Sequence, residues 1–421
     1  MRSTQWTTQP EHKEQSVILI DEIKTPVNRT KVLICGMLAM LSLGTPYFWS
    51  IFQFYLVDTM GWTSAAASMP FSIVMTFFPF GSVLGGRMAD KMGPKAVLRI
   101  MGAGVLGICM MLCSVAVGIG PMALYVVFVV MALGSGAAYN CVLPSIQMWF
   151  PDRRGFAMGC VVGCAGAAGL VFSPYAEFWL NRVGARGAFL AVGIAYVVII
   201  MVASIHFDRP PVGWLPEGYT PLPAREGTDD LTTSEMLKTG TFFLLASGML
   251  ASVLAYLMIS PQIKSLVVER GMSQTIATAT VMLCGLANAG GRLCGSWASD
   301  KLGLRQVIMI AQVTTVAGMI ALSFAGGISV SALCFLVAFC YGTYLAVFPS
   351  LTSSLFGLKY AGGNYGCVLM ATVASALLAP AVVSVLTKMG EATLPFFAGA
   401  AVSILAASLM FLLGKDKRAK A

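Results

Sequence analysis

Arg292 is the residue of this sequence most able to bind a charged ligand, because it lies deep inside a long apolar segment. The surrounding residues read ATVMLCGLANAGGRLCGSWASDK, and no other charged side chain lies between Thr275 and Ser299. Arginine stays protonated at any relevant pH, and its planar guanidinium can hold a carboxylate through two parallel hydrogen bonds. Such a charge costs roughly 3 kcal/mol on membrane-insertion scales and normally faces a cavity or a partner. The sequence therefore predicts an anion bound beside Arg292.

The alternative is an arginine whose side chain extends along the helix to a more polar position near Asp300. About eight residues, or roughly 12 Å of helix, separate the two positions, which exceeds comfortable side-chain reach. The residues between them, among them Gly295 and Ser296, offer no acidic partner. A role as substrate ligand is therefore favoured.

Other polar and aromatic side chains also lie at mid-depth in apolar segments, and we expect them to share a cavity with the guanidinium. Hydroxyl and amide groups there can hydrogen-bond the second oxygen of an anion, or a 2-keto or 2-hydroxy group. The predicted substrate-binding residues are Tyr47, Tyr139, Asn140, Asn288, Arg292, Tyr341 and Tyr344. The predicted wall or gate residues are Trp49, Gln53, Tyr365, Cys367 and Thr372. Simple packing is the alternative for Tyr139 and Tyr344.

Catalysis and metal binding are not expected. The eleven cysteines lie in apolar segments without His or acidic neighbours, and the two histidines, His12 and His206, lie in a polar tail and at the end of an apolar segment. No nucleophile, base and acid come together, and no metal-ligand spacing recurs. The formal charge of +9 comes from basic residues spread over short loops, which argues against nucleic-acid binding. We expect no enzyme activity, no metal, no cofactor and no nucleic-acid partner.

The composition places these residues in a lipid bilayer. Of the 421 residues, 57% are hydrophobic and 11% are charged, and the mean hydropathy is +0.81. A helical crossing needs about 20 apolar residues, and the alternating pattern of membrane strands is absent. The predicted fold is therefore an all-α integral membrane protein. Twelve apolar spans fall at 31–57, 63–89, 96–118, 122–149, 155–180, 187–206, 239–263, 274–299, 306–325, 330–356, 361–387 and 392–414.

A Pro-rich polar interruption divides these spans six and six. The predicted organisation is an N-terminal tail (1–30), a six-helix half (31–207), a linker (208–238), a second six-helix half (239–414) and a C-terminal tail (415–421). Basic residues orient short loops towards the cytoplasm. More basic residues lie on the side of the tails than on the opposite side. Those on the side of the tails are Arg87, Lys91, Lys95, Arg99, Arg153, Arg154, Lys301, Arg305, Lys359, Lys415, Lys417, Arg418 and Lys420. Those on the opposite side are Arg182, Arg186, Lys264, Arg270 and Lys388. We therefore expect both termini and the linker to be cytoplasmic, in a plasma membrane such as a bacterial inner membrane.

The chain also contains an internal repeat. GGRMADKMGPK (85–95) and GSWASDKLGLR (295–305) share the pattern G-x4-D-K-x-G-x-[K/R] at a spacing of 210 residues. An acid at a helix end can pair with basic residues or helix N-termini in one conformation and release them in the other, although a solvated loop is the alternative. The predicted residues of this conformational latch are Gly86, Asp90, Lys91, Gly93, Arg153, Arg154, Asp300, Lys301, Gly303 and Arg305.

The repeated loop over Gly86–Lys95 resembles the signature of the major facilitator superfamily. Within this superfamily, the chain is similar to the oxalate/formate antiporter family, which is related to monocarboxylate transporters. The strings that carry this similarity are WFPDRRGFAMG, SEMLKTGTFF, NAGGRLCGSWASDKLG, VFPSLTSSLFG and GGNYG. The resemblance implies two pseudo-symmetric six-helix halves, alternating access, transport of small organic anions, and Arg292 as the carboxylate ligand.

Two positions refine the expected substrate and coupling. Oxalate-exchanging members of the resembled family carry a second basic residue where this chain has Thr372, so one cation here favours a monocarboxylate such as lactate, pyruvate, formate or acetate over a dianion. Animal monocarboxylate transporters carry an aspartate at the position of Asn288, so an intrinsic proton carrier is missing. Proton symport and exchange against a counter-anion both stay open. A dicarboxylate exchanger and a non-transporting membrane anion sensor are the alternatives.

Overall fold

The computed structural model describes residues 28–211, 213–216, 218–219, 230–389 and 393–415, which form helices joined by turns. The first half contains α1 (Arg29–Ser42), α2 (Trp49–Asp58), α3 (Ser64–Met92), α4 (Pro94–Ile119), α5 (Pro121–Trp149), α6 (Arg154–Gly166) and α7 (Ala168–Ile205). The second half contains α8 (Thr233–Met236), α9 (Gly240–Ile259), α10 (Ile263–Glu269), α11 (Gln274–Leu302), α12 (Leu304–Phe324), α13 (Ile328–Phe356), α14 (Ala361–Lys388) and α15 (Leu394–Leu413). Residues 1–27 of the predicted N-terminal tail, residues 212, 217 and 220–229 of the linker, and residues 416–421 lie outside the described residues.

The described helices account for twelve crossings. Nine stretches of this part of the chain are long and apolar enough to cross a bilayer. One of them, 154–205, holds the fifth and sixth crossings, because the chain breaks at Gly184 with φ 70° and ψ −174°, a conformation open to glycine. Two further crossings are not among the nine stretches. The first crossing is divided between α1 and α2, and the eighth is α11, which carries the polar residues Asn288 and Arg292.

The internal repeat recurs in the helix boundaries. Thr63 and Ser273, 210 residues apart, cap α3 and α11 by accepting a first-turn backbone N–H at 3.2 and 3.3 Å. Both helices contain 29 residues and end at Gly93 and Gly303, whose φ angles of 82° and 92° suit glycine. Equal lengths between equivalent caps show that α3 and α11 are structurally equivalent helices of the two halves.

The halves meet through backbone contacts near one end of the bundle. We call the end that carries the connections 92–94, 149–154, 302–304 and 356–361 the terminal end, and the opposite one the distal end. Across the halves, α3 packs on α14 and α6 packs on α11. A Cβ on Gly86 would lie 2.2 Å from the carbonyl carbon of Gly362, and one on Gly155 would lie 2.0 Å from the oxygen of Ser296. Glycine therefore lets the helices of the two halves approach closely.

Two helices of the first half are interrupted at the same depth. The first crossing breaks at a 3₁₀ turn over Thr45–Tyr47, and the fifth breaks at Ala167 between α6 and α7. These breaks touch: a Cβ on Gly44 would lie 2.5 Å from the oxygen of Ala165, and one on Gly169 would lie 2.9 Å from the oxygen of Tyr47. Interrupted helices line substrate sites in many transporters, because irregular backbone is tolerated there beside a cavity.

Candidate anion-binding site

Arg292 joins the second half to both interrupted helices of the first half. Its side chain is 3% exposed, and its Nε donates to Asn288 Oδ1 at 3.0 Å. Nη1 donates to the carbonyl oxygen of Val162 in α6 at 3.3 Å, and Nη2 donates to the hydroxyl of Tyr47. The guanidinium carbon also lies 5.3 Å from the centre of the Tyr47 ring, within cation–π range. The predicted central residue thus lies on the boundary between the halves.

The acceptors of Arg292 are all neutral. Among the described residues the ion pairs join Arg29 to Asp152 and Arg209 to Asp90, and neither pair includes Arg292. Its three hydrogen bonds use three of the five guanidinium N–H donors and leave one on each terminal nitrogen. One free donor on each terminal nitrogen is the number that a bidentate carboxylate uses.

Four tyrosines interact with the guanidinium. The tyrosines that interact electrostatically with Arg292 are Tyr47, Tyr139, Tyr341 and Tyr365. Tyr341 also stacks on Tyr256 of α9, with ring centroids 4.4 Å apart and an interplanar angle of 23°. Sequence reasoning missed Tyr256, although it carries the feature that singled out Tyr341, a hydroxyl in the middle of an apolar span. The structure therefore adds the seventh crossing to the walls of the site.

Two predicted ligands lie elsewhere. Tyr344 is fully buried, and its hydroxyl lies 2.8 Å from Thr315 Oγ1 of α12, inside the second half. Asn140 Nδ2 donates to the oxygen of Ser82 at 2.9 Å and to that of Gly362 at 2.5 Å. The structure thus does not bring the Tyr344 hydroxyl or the Asn140 Nδ2 to the guanidinium, because both groups bond to neighbouring helices.

The predicted wall residues are divided between buried and half-buried positions. Trp49 is 2% exposed, and its Nε1 donates to the oxygen of Ala67 at 3.0 Å, which holds the ring inside the first half. Gln53, Cys367 and Thr372 are half-buried. The Thr372 hydroxyl donates to a carbonyl of its own helix at 2.7 Å. Tyr365, the predicted gate, is buried with 2% exposure.

One acid of the repeated motif connects the halves. Asp300 Oδ1 and Oδ2 accept the backbone N–H groups of Gly155 and Phe156 at 2.7 and 2.8 Å. These N–H groups lie in the first turn of α6, where an α-helix favours negative charge. Together with Asn140 and Arg292, Asp300 forms hydrogen bonds between described residues of the two halves. All of these bonds lie at the depth of Arg292 or nearer the terminal end, which is therefore closed.

The equivalent acid of the first repeat does not reach the second half. Asp90 Oδ1 instead accepts from Arg209 Nη2 at 3.0 Å, at the start of the linker. Lys301 Nζ lies 4.2 Å from the centre of the Trp297 ring, and Arg305 lies against Gly414 at the end of α15. The contacts of Lys301 and Arg305 thus stay within the second half, and that of Asp90 is with the linker. The other predicted latch residues occupy helix ends: Lys91 and Arg153 are exposed, Arg154 is half-buried, Gly86 contacts Gly362, and Gly93 and Gly303 end α3 and α11.

Replacing the Asn140 amide is expected to open the terminal end. Asn140→Ala removes the bond to Gly362, and a typical hydrogen bond contributes about 1 kcal/mol, so we expect roughly a fivefold shift towards the open population. Spin labels at Lys91 and Lys359 would report the change as a longer distance in pulsed electron paramagnetic resonance. Asn364→Ala is the matched control, because Asn364 Nδ2 donates at 3.0 Å to the oxygen of Leu231, a linker residue just before α8, and not to the first half. Unchanged distances in Asn140→Ala would contradict this role.

Comparison with known proteins agrees with this architecture. A family model described as Major Facilitator Superfamily matches residues 32–371. The oxalate:formate antiporter of Oxalobacter formigenes is 25% identical over 80% of this chain and 80% of its own. An uncharacterized MFS-type transporter of Escherichia coli is 28% identical over 82% and 86%, and an apicoplast pyruvate carrier of Toxoplasma gondii is 24% identical over 70% and 65%.

Solved structures share the fold at low sequence identity. The fucose:proton symporter of Escherichia coli has a TM-score of 0.69 at 13% identity and covers 92% of this chain and 98% of its own. A bacterial homologue of the iron transporter ferroportin, in an outward-facing state, has a TM-score of 0.68 at 16% identity and covers 92% and 99%. These matches concern the arrangement of the helices alone.

Proposed function

The chain belongs to the Major Facilitator Superfamily, and from that premise we propose that it carries a small monocarboxylate across the membrane by alternating access. Lactate, pyruvate, formate and acetate represent the substrate class. The observation that carries the proposal is the buried guanidinium of Arg292, which has three neutral acceptors and two remaining donors at the boundary between the halves. A carboxylate bound there would complete the hydrogen bonding of the guanidinium and neutralise its charge.

The number of charges supports a monoanion. Thr372 supplies no second cation, and its hydroxyl bonds within its own helix. A dianion beside Arg292 would bury one negative charge without a partner, which is costly in a low-dielectric site. Two of the similar proteins are an oxalate:formate antiporter and a pyruvate carrier, which supports small carboxylates as the broader substrate class.

We propose that the structure represents the outward-facing state. The assigned hydrogen bonds between the halves lie at Arg292 and nearer the terminal end, and the excess of basic residues on that side favours a cytoplasmic location. A substrate would then reach Arg292 from the distal end. Release to the cytoplasm would require the bonds of Asp300 and Asn140 to break.

Competition for uptake tests the charge-matching argument. In proteoliposomes, uptake of radiolabelled lactate or pyruvate is expected to be inhibited by other monocarboxylates at concentrations at least about tenfold below those needed for oxalate, since burying an unpaired charge costs more than 1.4 kcal/mol. Thr372→Lys adds a second cation and is expected to narrow or reverse that difference. Stronger inhibition of the unmodified protein by oxalate than by monocarboxylates would contradict the proposal.

The coupling is tested in the same vesicles. Uptake driven by an imposed pH gradient without internal substrate would identify proton symport, whereas uptake that needs an internal anion would identify exchange. Counterflow of labelled substrate distinguishes a carrier from a sensor that binds the same anion. Binding without counterflow in either direction would exclude transport.

A further inference from the structure

A groove of about 520 Å³ lies on the outer surface of the second half, between α12 and α15. Its apolar walls include Met309, Val313 and Val316 of α12, and Ile404, Phe411 and Leu412 of α15. Val313 is 64% exposed and Phe411 is 52% exposed. The small residues Ala407 and Ser408 form part of the lining, so the groove has room beside α15 for a chain-like apolar ligand.

Positive charge lies at the terminal end of this groove. The guanidinium of Arg305 lies against Gly414. A Cβ on Gly414 would fall 1.0 Å from Nη1 of Arg305, so the glycine leaves room for the guanidinium. Lys415 Nζ lies 4.7 Å from the ring centre of Phe411, which lines the groove. The sequence then continues with further basic residues, Lys417, Arg418 and Lys420, and one acid, Asp416.

We propose that the groove binds an anionic phospholipid, with an acyl chain between α12 and α15 and the phosphate beside Arg305 and Lys415. Guanidinium and ammonium groups recognise phosphate through charge-assisted hydrogen bonds, and basic clusters at the ends of membrane helices attract anionic headgroups. From Lys415 to Ile404 the helix extends about 16 Å, close to half the thickness of the hydrocarbon core of a bilayer. The ligand therefore needs a charged end and an apolar chain of one-leaflet length, which a soluble phosphate lacks.

Native mass spectrometry of the full chain, with phosphatidylglycerol and phosphatidylcholine of identical acyl chains, tests the proposal. We expect the intact protein to retain phosphatidylglycerol more strongly, by roughly tenfold or more, because two basic residues contact the headgroup. Arg305→Gln combined with Lys415→Gln is expected to abolish that preference. Lys264→Gln combined with Lys388→Gln removes two basic residues on the distal side and is the matched control, which is expected to keep it.

Two further variants separate the headgroup from the groove. Arg305→Lys keeps the charge and is expected to keep the preference, and Ala407→Trp fills the groove and is expected to weaken retention of both lipids. Equal retention of both lipids by the intact protein, or an unchanged preference in the doubly substituted Gln variant, would overturn the proposal. Full displacement of the lipid by glycerol phosphate would also overturn it, because that result indicates a soluble ligand. A dimer that Ala407→Trp abolishes would overturn it as well, because the occupant would then be a second copy of the chain.

Discussion

Arg292→Lys is expected to lower the uptake rate at limiting substrate roughly a hundredfold while the protein still folds. Lysine keeps the positive charge but replaces the planar fork with a single ammonium, so the second bond to the carboxylate is lost. The bonds to Asn288, Val162 and Tyr47, which orient the guanidinium, cannot all be made either. A hydrogen bond to a charged group contributes roughly 1.5–3 kcal/mol, and each 1.4 kcal/mol corresponds to a factor of ten.

Initial rates of labelled monocarboxylate uptake in proteoliposomes measure this effect. Arg270→Lys is the matched control, because Arg270 belongs to the same half and donates to the carbonyl of Ala325 near the distal end. We expect the control to transport at nearly the normal rate, and both variants to elute as the unmodified protein does in size-exclusion chromatography. Near-normal transport by Arg292→Lys would remove Arg292 from the substrate site.

Asp300→Asn is expected to shift the protein towards a conformation with an open terminal end, by about tenfold in population. The carboxylate accepts two backbone N–H groups at the start of α6, and it interacts favourably with the positive end of that helix. Asparagine keeps one acceptor oxygen and loses the charge. Loss of a charge-assisted hydrogen bond corresponds to roughly 1.5 kcal/mol, or about a factor of ten.

The internal repeat supplies the control for this experiment. Asp90→Asn changes the equivalent acid, whose carboxylate pairs with Arg209 of the linker and not with the second half, so the distribution of distances across the terminal end is expected to stay unchanged. Pulsed electron paramagnetic resonance with one label on each half measures both variants. If Asp90→Asn opened the terminal end as far as Asp300→Asn, the bonds of Asp300 to α6 would not be what closes it.

The helices could largely be predicted from local signals. Apolar length located the crossings, and Thr63, Ser273 and the two helix-ending glycines determine where α3 and α11 begin and end. The first crossing was predicted as one span over 31–57, whereas the helix breaks at Thr45–Tyr47. Pro46 lacks the backbone N–H that a continuous helix would use, so the signal for the break was present.

The site could be predicted only in part, because depth in the membrane does not determine which way a side chain points. Arg292 was identified from its energetic cost alone, since a buried cation needs compensation whatever its orientation. Asn140 and Tyr344 lie in apolar spans as well, yet their bonds to Gly362 and Thr315 serve helix packing. In the sequence alone, a polar residue that binds a ligand and one that bonds between packed helices look alike.

The sequence by itself determined the membrane class, the duplicated helices and the single central cation, because these depend on composition and on spacing along the chain. Only the tertiary structure decided which groups meet Arg292 and which repeated acid joins the halves. Tyr47 bonds to Arg292 across 245 positions, and Gly155 bonds to Asp300 across 145. Such contacts depend on the rotation of each helix about its axis and on how the halves pack, and both are set by side chains far apart in the chain.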